Sequence, residues 1–267
     1  MLPFKSFLTE KLIMFSNGAR YGQIVFLAGG AGSGKGFAAS NFMQGEIFKT
    51  RDVDAWKSAF LKIAKLKKKY PEIRGLDLRK PDDVFKLHQF VDSKKIKDKT
   101  MQHMLSSMGN KETLPNILFD ITAKDVKSVA KLLPDLLNAG YNPANIHMLW
   151  VLTSYKVAVK NNAERDRVVP SDILLQTHKG AANTMFSLIR GTGKKLAING
   201  AIHVLLNNRE NTIFFPNSKT VIKDFKYLTM KKRGKPINKD IEMQKQLFQW
   251  IVDNVPPDTI KKAAEDL

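Results

Sequence analysis

A three-layer α/β fold with a mainly parallel, five-stranded sheet and a basic helical insert is the architecture this sequence predicts. Three observations carry it. Short apolar runs alternate with longer amphipathic stretches along the chain, as strands and crossover helices must. The first run, "QIVFLAG" (23–29), is apolar throughout rather than alternating, which suits a parallel strand covered on both faces. A glycine-rich turn with a lysine follows it directly and leads into a helical stretch.

The elements follow in order. After the first strand the spacing predicts a helix over 36–44 and a second strand in "IFKTRD" (47–52). Helices are expected over 54–69 and 82–107, and the basic segment at about 57–110 reads as an insert forming a small lid or substrate-binding subdomain. "NILFDIT" (116–122), "NIHMLWVLT" (145–153) and "AIHVLLNN" (201–208) supply the remaining strands. Between them fall helices over 124–139, 154–163 and 171–189, the first of these stopped by "AGYNP" with Gly140 and Pro143. "NNRENTIFFPNS" (207–218) reads as a turn joining two short strands, and a last helix is expected over 238–254. The domain boundaries expected are a short leader at 1–10, the main α/β domain at 11–222 and a basic C-terminal extension at 223–267.

Composition narrows the function. No apolar run approaches the roughly 20 residues of a membrane span. The N-terminus has no hydrophobic region with a cleavage site, which argues against secretion and for the cytoplasm. With no cysteine, disulfides and thiolate metal sites are excluded. The net charge of +19 concentrates in "KIAKLKKKY", "DSKKIKDKT" and "KDFKYLTMKKRGKPINK", which suits solvated helix faces or non-specific contact with nucleic acid. None of the five histidines has metal-ligand spacing, so histidine chemistry is not favoured.

The chemistry centres on "GGAGSGKGF". Gly29-x4-Gly34-Lys35 has the spacing of a phosphate-binding loop, whose backbone N–H groups turn inward around a triphosphate. Gly29, Gly30, Ala31, Gly32, Ser33, Gly34, Lys35, Gly36 and Phe37 form the expected ATP site, with Lys35 reaching the β and γ phosphates. Gly36 and Phe37 occupy positions where a hydroxyl often helps to hold Mg2+, so the metal must rely on ATP oxygens, water and acids elsewhere. Asp54, after the second strand, stands where an acid can accept a substrate hydroxyl proton, or can cap the next helix. Asp120 ends the third strand as a candidate magnesium or water ligand, and Thr122 is placed to orient it or touch substrate. In "AERDRVVPSD", Arg165 and Arg167 are candidates to close over the transferring phosphate.

These pieces, in this order, resemble zeta-toxin-type kinases. The resemblance runs from about residue 22 to 218. "RDVDAWK" is similar to the family's second-strand acidic motif, which makes Asp54 the base and brings Lys57 to the substrate side. "NILFDIT" resembles the strand ending in an acid and Thr, with Asp120 in place of Glu and Ile121 in place of Gly. "RVVPSDILLQTH" resembles the Arg-x-x-Pro segment and "NNRE" the late turn. The resemblance implies ATP-dependent transfer of the γ-phosphate to a hydroxyl of a nucleotide sugar, with ATP and Mg2+ as cofactors and an antitoxin as partner.

Two other readings stand beside this one: a kinase acting on a nucleotide or polynucleotide, and a packaged DNA-associated protein whose nucleotide site is vestigial. The last draws on "MLPFKSFLTE", which resembles the capsid-targeting peptides of internal proteins in T-even-like bacteriophages, cut after Leu8-Thr9-Glu10. It implies packaging in a phage virion before action in the host cytoplasm.

Overall fold

The computed structural model of the chain describes residues 12–15, 21–43, 46–51, 55–67, 69–106, 114–192, 195–216, 222–256 and 259. Residues 1–10 and Asp54 lie outside the described residues, and with them the leader peptide and the expected base.

Five parallel strands form one sheet in the order β2 (Lys49–Arg51), β3 (Ile117–Asp120), β1 (Ile24–Ala28), β4 (Ile146–Leu152), β5 (Ile202–Leu206). The central β1 is buried along its whole length, which is why its sequence shows no alternation. Ile24, Phe26 and Ala28 face a core layer with Phe119, Met148, Trp150 and Val204. That layer is closed by α5 (Val126–Ala130), α6 (Leu133–Asn138), α8 (Ser171–Arg190) and α9 (Ile241–Asn254). Val25 and Leu27 point to the opposite layer, against Ala38 and Phe42 of α1 (Lys35–Phe42). The three layers are as expected.

The sheet itself is larger than the sequence suggested. It has seven strands rather than five and is mixed, because β7 (Ile222–Lys231) pairs antiparallel with β5, and β6 (Thr212–Phe214) pairs antiparallel with β7. The stretch expected as the start of a basic extension therefore supplies the longest strand. Ile222, Phe225, Leu228 and Met230 are buried, but Lys223, Asp224 and Lys226 between them are exposed, and a register shift opposite Ile202 and His203 breaks the period.

Two expected helices are divided. The helix over 82–107 becomes α3 (Pro81–Ser93) and α4 (Ile96–Ser106), separated where Lys95 adopts a φ of 51°. The helix over 124–139 divides into α5 and α6, the second carrying Pro134 in its first turn. With α2 (Ala55–Lys67), α3 and α4 build the insert. Phe60, Ala64, Ile73, Leu87, Phe90, Val91 and Ile96 give it a small hydrophobic core of its own. Among the described residues, no helix is long and apolar enough to cross a membrane.

Two histidines are buried beneath the sheet, each against Phe15, with ring centroids 5.2 Å (His147) and 5.4 Å (His203) away. His147 Nε2 lies 2.8 Å from Gln23 Oε1, and its Nδ1 accepts the Ala201 N–H at 2.8 Å. Protonating Nδ1 would expel that N–H from its bond. Burial, and then the nearby His203, Arg233 and Lys231, pull His147 down to about 3, while burial alone takes His203 to about 4. Both rings are neutral in the folded state, whereas in the unfolded chain they take protons near the ordinary value of 6.5. Their contribution is therefore fully present above about pH 6.5 and is lost as pH falls toward 3–4. Urea unfolding at pH 5 is expected to give stability lower by on the order of a few kcal/mol than at pH 7. The fall should be shallower for His203→Asn, and equal midpoints at the two pH values would refute the assignment.

Candidate nucleotide site

The loop from Gly29 to Gly34 leaves the C-terminal end of β1, at the centre of the parallel sheet, and feeds directly into α1. Ligands of such sheets bind at this edge. Gly34, with φ 81°, caps α1 without any side-chain bond, so the first-turn amides are left for an anion. The loop is packed too closely for larger residues at Gly29, Gly30, Gly32 and Gly34. A Cβ on Gly32, whose φ is 73°, would lie 2.4 Å from the Ala158 carbonyl oxygen. One on Gly30 would lie 2.2 Å from the His178 ring.

Several side chains hold the loop from outside. His178 Nε2 donates to the Ala31 carbonyl at 2.7 Å, and Thr177 Oγ1 accepts the Ala31 N–H at 3.2 Å. Asn161 Nδ2 donates to the Gly32 carbonyl at 3.1 Å. The Ser33 carbonyl accepts from Thr153 Oγ1 at 2.7 Å and Asn207 Nδ2 at 2.8 Å. Burial lowers the affinity of His178 for a second proton, the bond to Ala31 opposes this, and Lys35 adds to it.

Lys35 Nζ donates to the carbonyls of Gly29 (2.9 Å) and Gly30 (3.3 Å) and lies 3.7 Å from Asp120 Oδ1. Asp120 reaches this position because β3 lies beside β1, with Asp120 in register with Leu27. Thr122 takes part through its backbone, its carbonyl accepting the Gly29 N–H at 3.3 Å. Arg165 is exposed and Arg167 half-buried in the loop after α7 (Tyr155–Ala163). Asn162 closes the neck of that loop, donating to the Val169 carbonyl at 2.8 Å and accepting its N–H at 3.0 Å. The loop also meets the insert, where Val168 N–H donates to the Leu78 carbonyl at 2.9 Å.

A phosphate loop with its lysine against an acid at the end of β3 is the arrangement expected of the family suggested above, and the model of that family, Zeta toxin, matches residues 10–220. The chain belongs to the zeta toxin family. Comparison with curated proteins gives no match. Among solved structures, AvrRxo1-ORF1:ORF2 with ATP aligns at 10% identity and TM-score 0.56, covering 86% of this chain and 64% of that one. The chain thus spans about two thirds of the length of that neighbour. The native complex of the same pair aligns at 10% identity and TM-score 0.52, covering 91% and 74%. These likenesses show a shared fold.

Within this zeta toxin fold, the structure brings together Gly29–Lys35, Asp120 and the Thr122 backbone. Lys57 is buried in the first turn of α2. Gly36 and Phe37 are exposed, and the Phe37 ring rests edge-on against Phe42 at 5.6 Å, so the place of a metal-binding hydroxyl is taken by an aromatic packed along its own helix. Among the described residues no group of three His, Asp or Glu gathers to cage a metal. Magnesium is commonly held by one or two carboxylates together with phosphate oxygens and water. Asp120 fits as that carboxylate. The reading of the sequence missed Thr153, Asn161, Thr177, His178 and Asn207. The adjacent polar pairs "LTS", "QTH" and "NN" at the ends of apolar runs were their signal.

Proposed function

We propose that this zeta toxin family member is an ATP-dependent phosphotransferase that moves the γ-phosphate to a hydroxyl of a small molecule such as a nucleotide sugar. The observation that carries it is Lys35, held by the loop carbonyls at the N-terminus of α1 and 3.7 Å from Asp120. The ordered loop supports a working site over a vestigial one. The loop amides and Lys35 bind the triphosphate, and Arg165 and Arg167 neutralise charge on the group in transfer. Asp54 accepts the acceptor's hydroxyl proton as that oxygen bonds to the γ-phosphorus. The bond from phosphorus to the β–γ bridging oxygen breaks, and ADP carries that electron pair away. Thr122 and Lys57 belong to the acceptor side. Asp120 and the phosphates would hold magnesium, which when bound would neutralise charge on the phosphate oxygens.

A second acceptor class, a nucleotide or polynucleotide end, draws support from α2. That helix carries no acid, and Lys62 and Lys65 are exposed on it, with exposed Lys69 just beyond. An antitoxin partner is supported by membership of the family, and the proposed setting is the cytoplasm of a host cell. Phage packaging rests on residues 1–10 alone.

The test is incubation of the chain with γ-labelled ATP and a panel of nucleotide sugars, nucleosides, nucleotides and polynucleotide ends. Label is expected on a nucleotide sugar. Label confined to polynucleotide ends would replace the acceptor class, and label on no acceptor would overturn the kinase reading.

A further inference from the structure

Three successive carbonyls of the phosphate loop, those of Ala31, Gly32 and Ser33, are each bound by a side chain reaching in from another part of the chain. His178 comes from α8, Asn161 from α7, Asn207 from the segment after β5 and Thr153 from the segment after β4. A peptide unit is planar and trans, so fixing a carbonyl on one side fixes the following N–H on the other. The bonds to Ala31 and Ser33 thus aim the N–H groups of Gly32 and Gly34 away from those clamps. The bond to Gly32 does the same for Ser33, whose N–H makes a long contact of 3.3 Å with the Gly30 carbonyl.

We infer that His178, together with Asn161, Asn207 and Thr153, is a positioning residue that presets the loop as an anion-binding nest before nucleotide arrives. The inference rests on the nucleotide-site reading above and extends it to residues outside the loop. A glycine-rich turn left to itself samples many backbone conformations, and ordering it would be charged against binding. Here four separate segments carry that ordering in the folded chain. His178 holds the loop in two ways: through its Nε2–H on the Ala31 carbonyl, and through its ring, which occupies the space over Gly30. Tyr155 backs the ring edge-on at 5.5 Å, and the neighbouring Thr177 fixes the other end of Ala31. A role limited to satisfying buried polar groups would alter stability and leave affinity for phosphate unchanged.

Binding of ATP and of inorganic tripolyphosphate to the full chain, measured by calorimetry, separates these roles. His178→Leu should weaken both ligands by about tenfold or more, as expected when a buried hydrogen bond that organises a site is lost. His178→Gln, which keeps an N–H donor, should recover most of the affinity. With acceptor present, KM for ATP should rise more than kcat falls. Equal affinity of His178→Leu and the natural chain for both ligands would overturn the inference, as would a loss for ATP with tripolyphosphate unaffected. If Leu at position 178 prevents folding, Asn161→Ala and Asn207→Ala carry the same test with the same two outcomes. A natural chain that binds neither ligand would instead overturn the nucleotide reading itself.

Discussion

Lys35→Ala is expected to lower kcat by about 10²–10³-fold, the range for removing one group that stabilises charge in a transition state, and to weaken ATP binding as well. Both effects follow from one geometry. The ammonium group is held by the carbonyls of Gly29 and Gly30 and lies 3.7 Å from Asp120. Its side chain is only 12% exposed, so it is already partly desolvated and directed toward the loop. An incoming triphosphate would replace these partners by phosphate oxygens, which carry more charge. Ala at this position removes the ammonium charge beside Asp120 and the phosphates, so repulsion that the lysine offset adds to the lost attraction. Steady-state kinetics give kcat and KM, and calorimetry gives Kd. Thermal unfolding should differ little, because the lysine contributes no core packing. A Lys35→Ala chain that keeps most of its kcat would remove the lysine from the chemistry.

The legible parts of this protein are those whose cause is local in sequence. β1 could be read because a strand buried on both faces must be apolar at every position, and "IVFLA" is. Lys35 could be read because the loop's chemistry fixes the spacing of its glycines and lysine within a few residues. β7 could not, because only one residue in two or three of Ile222–Lys231 is buried and the lysines between them look like a charged tail. Its place between β5 and β6 depends on pairing partners that no local pattern encodes. The division of α3 from α4 rests on a single backbone conformation at Lys95, a residue type that gives no hint of it. The clamps were hidden by distance along the chain. Thr177, His178 and Asn207 bind loop residues 146, 147 and 174 positions away. Taken singly, a His or Asn beyond an apolar run carries no chemistry. It acquires a role only when the topology places the ends of β1, β4 and β5 side by side, and that order is a property of the sheet.

Asp54→Asn is expected to separate what Lys35→Ala combines. A general base contributes about 10²–10⁴-fold to transfer, and a base acting on the acceptor makes no contact with ATP in this proposal. The variant should therefore lose kcat by about that factor while binding ATP as the natural chain does. Asn is the informative substitution because it keeps the size of Asp and an oxygen able to cap a helix, and removes only the proton-accepting charge. A loss arising from the start of α2 would appear in thermal unfolding, and a loss of the base would not. Asp120 supplies the contrast. Its carboxylate sits 3.7 Å from the ammonium of Lys35, which commits it to the phosphate side. Asp120→Asn should accordingly alter the magnesium dependence of transfer, whereas Asp54→Asn should not. Full activity in Asp54→Asn, with transfer abolished in Asp120→Asn at every magnesium concentration, would move the base from Asp54 to Asp120.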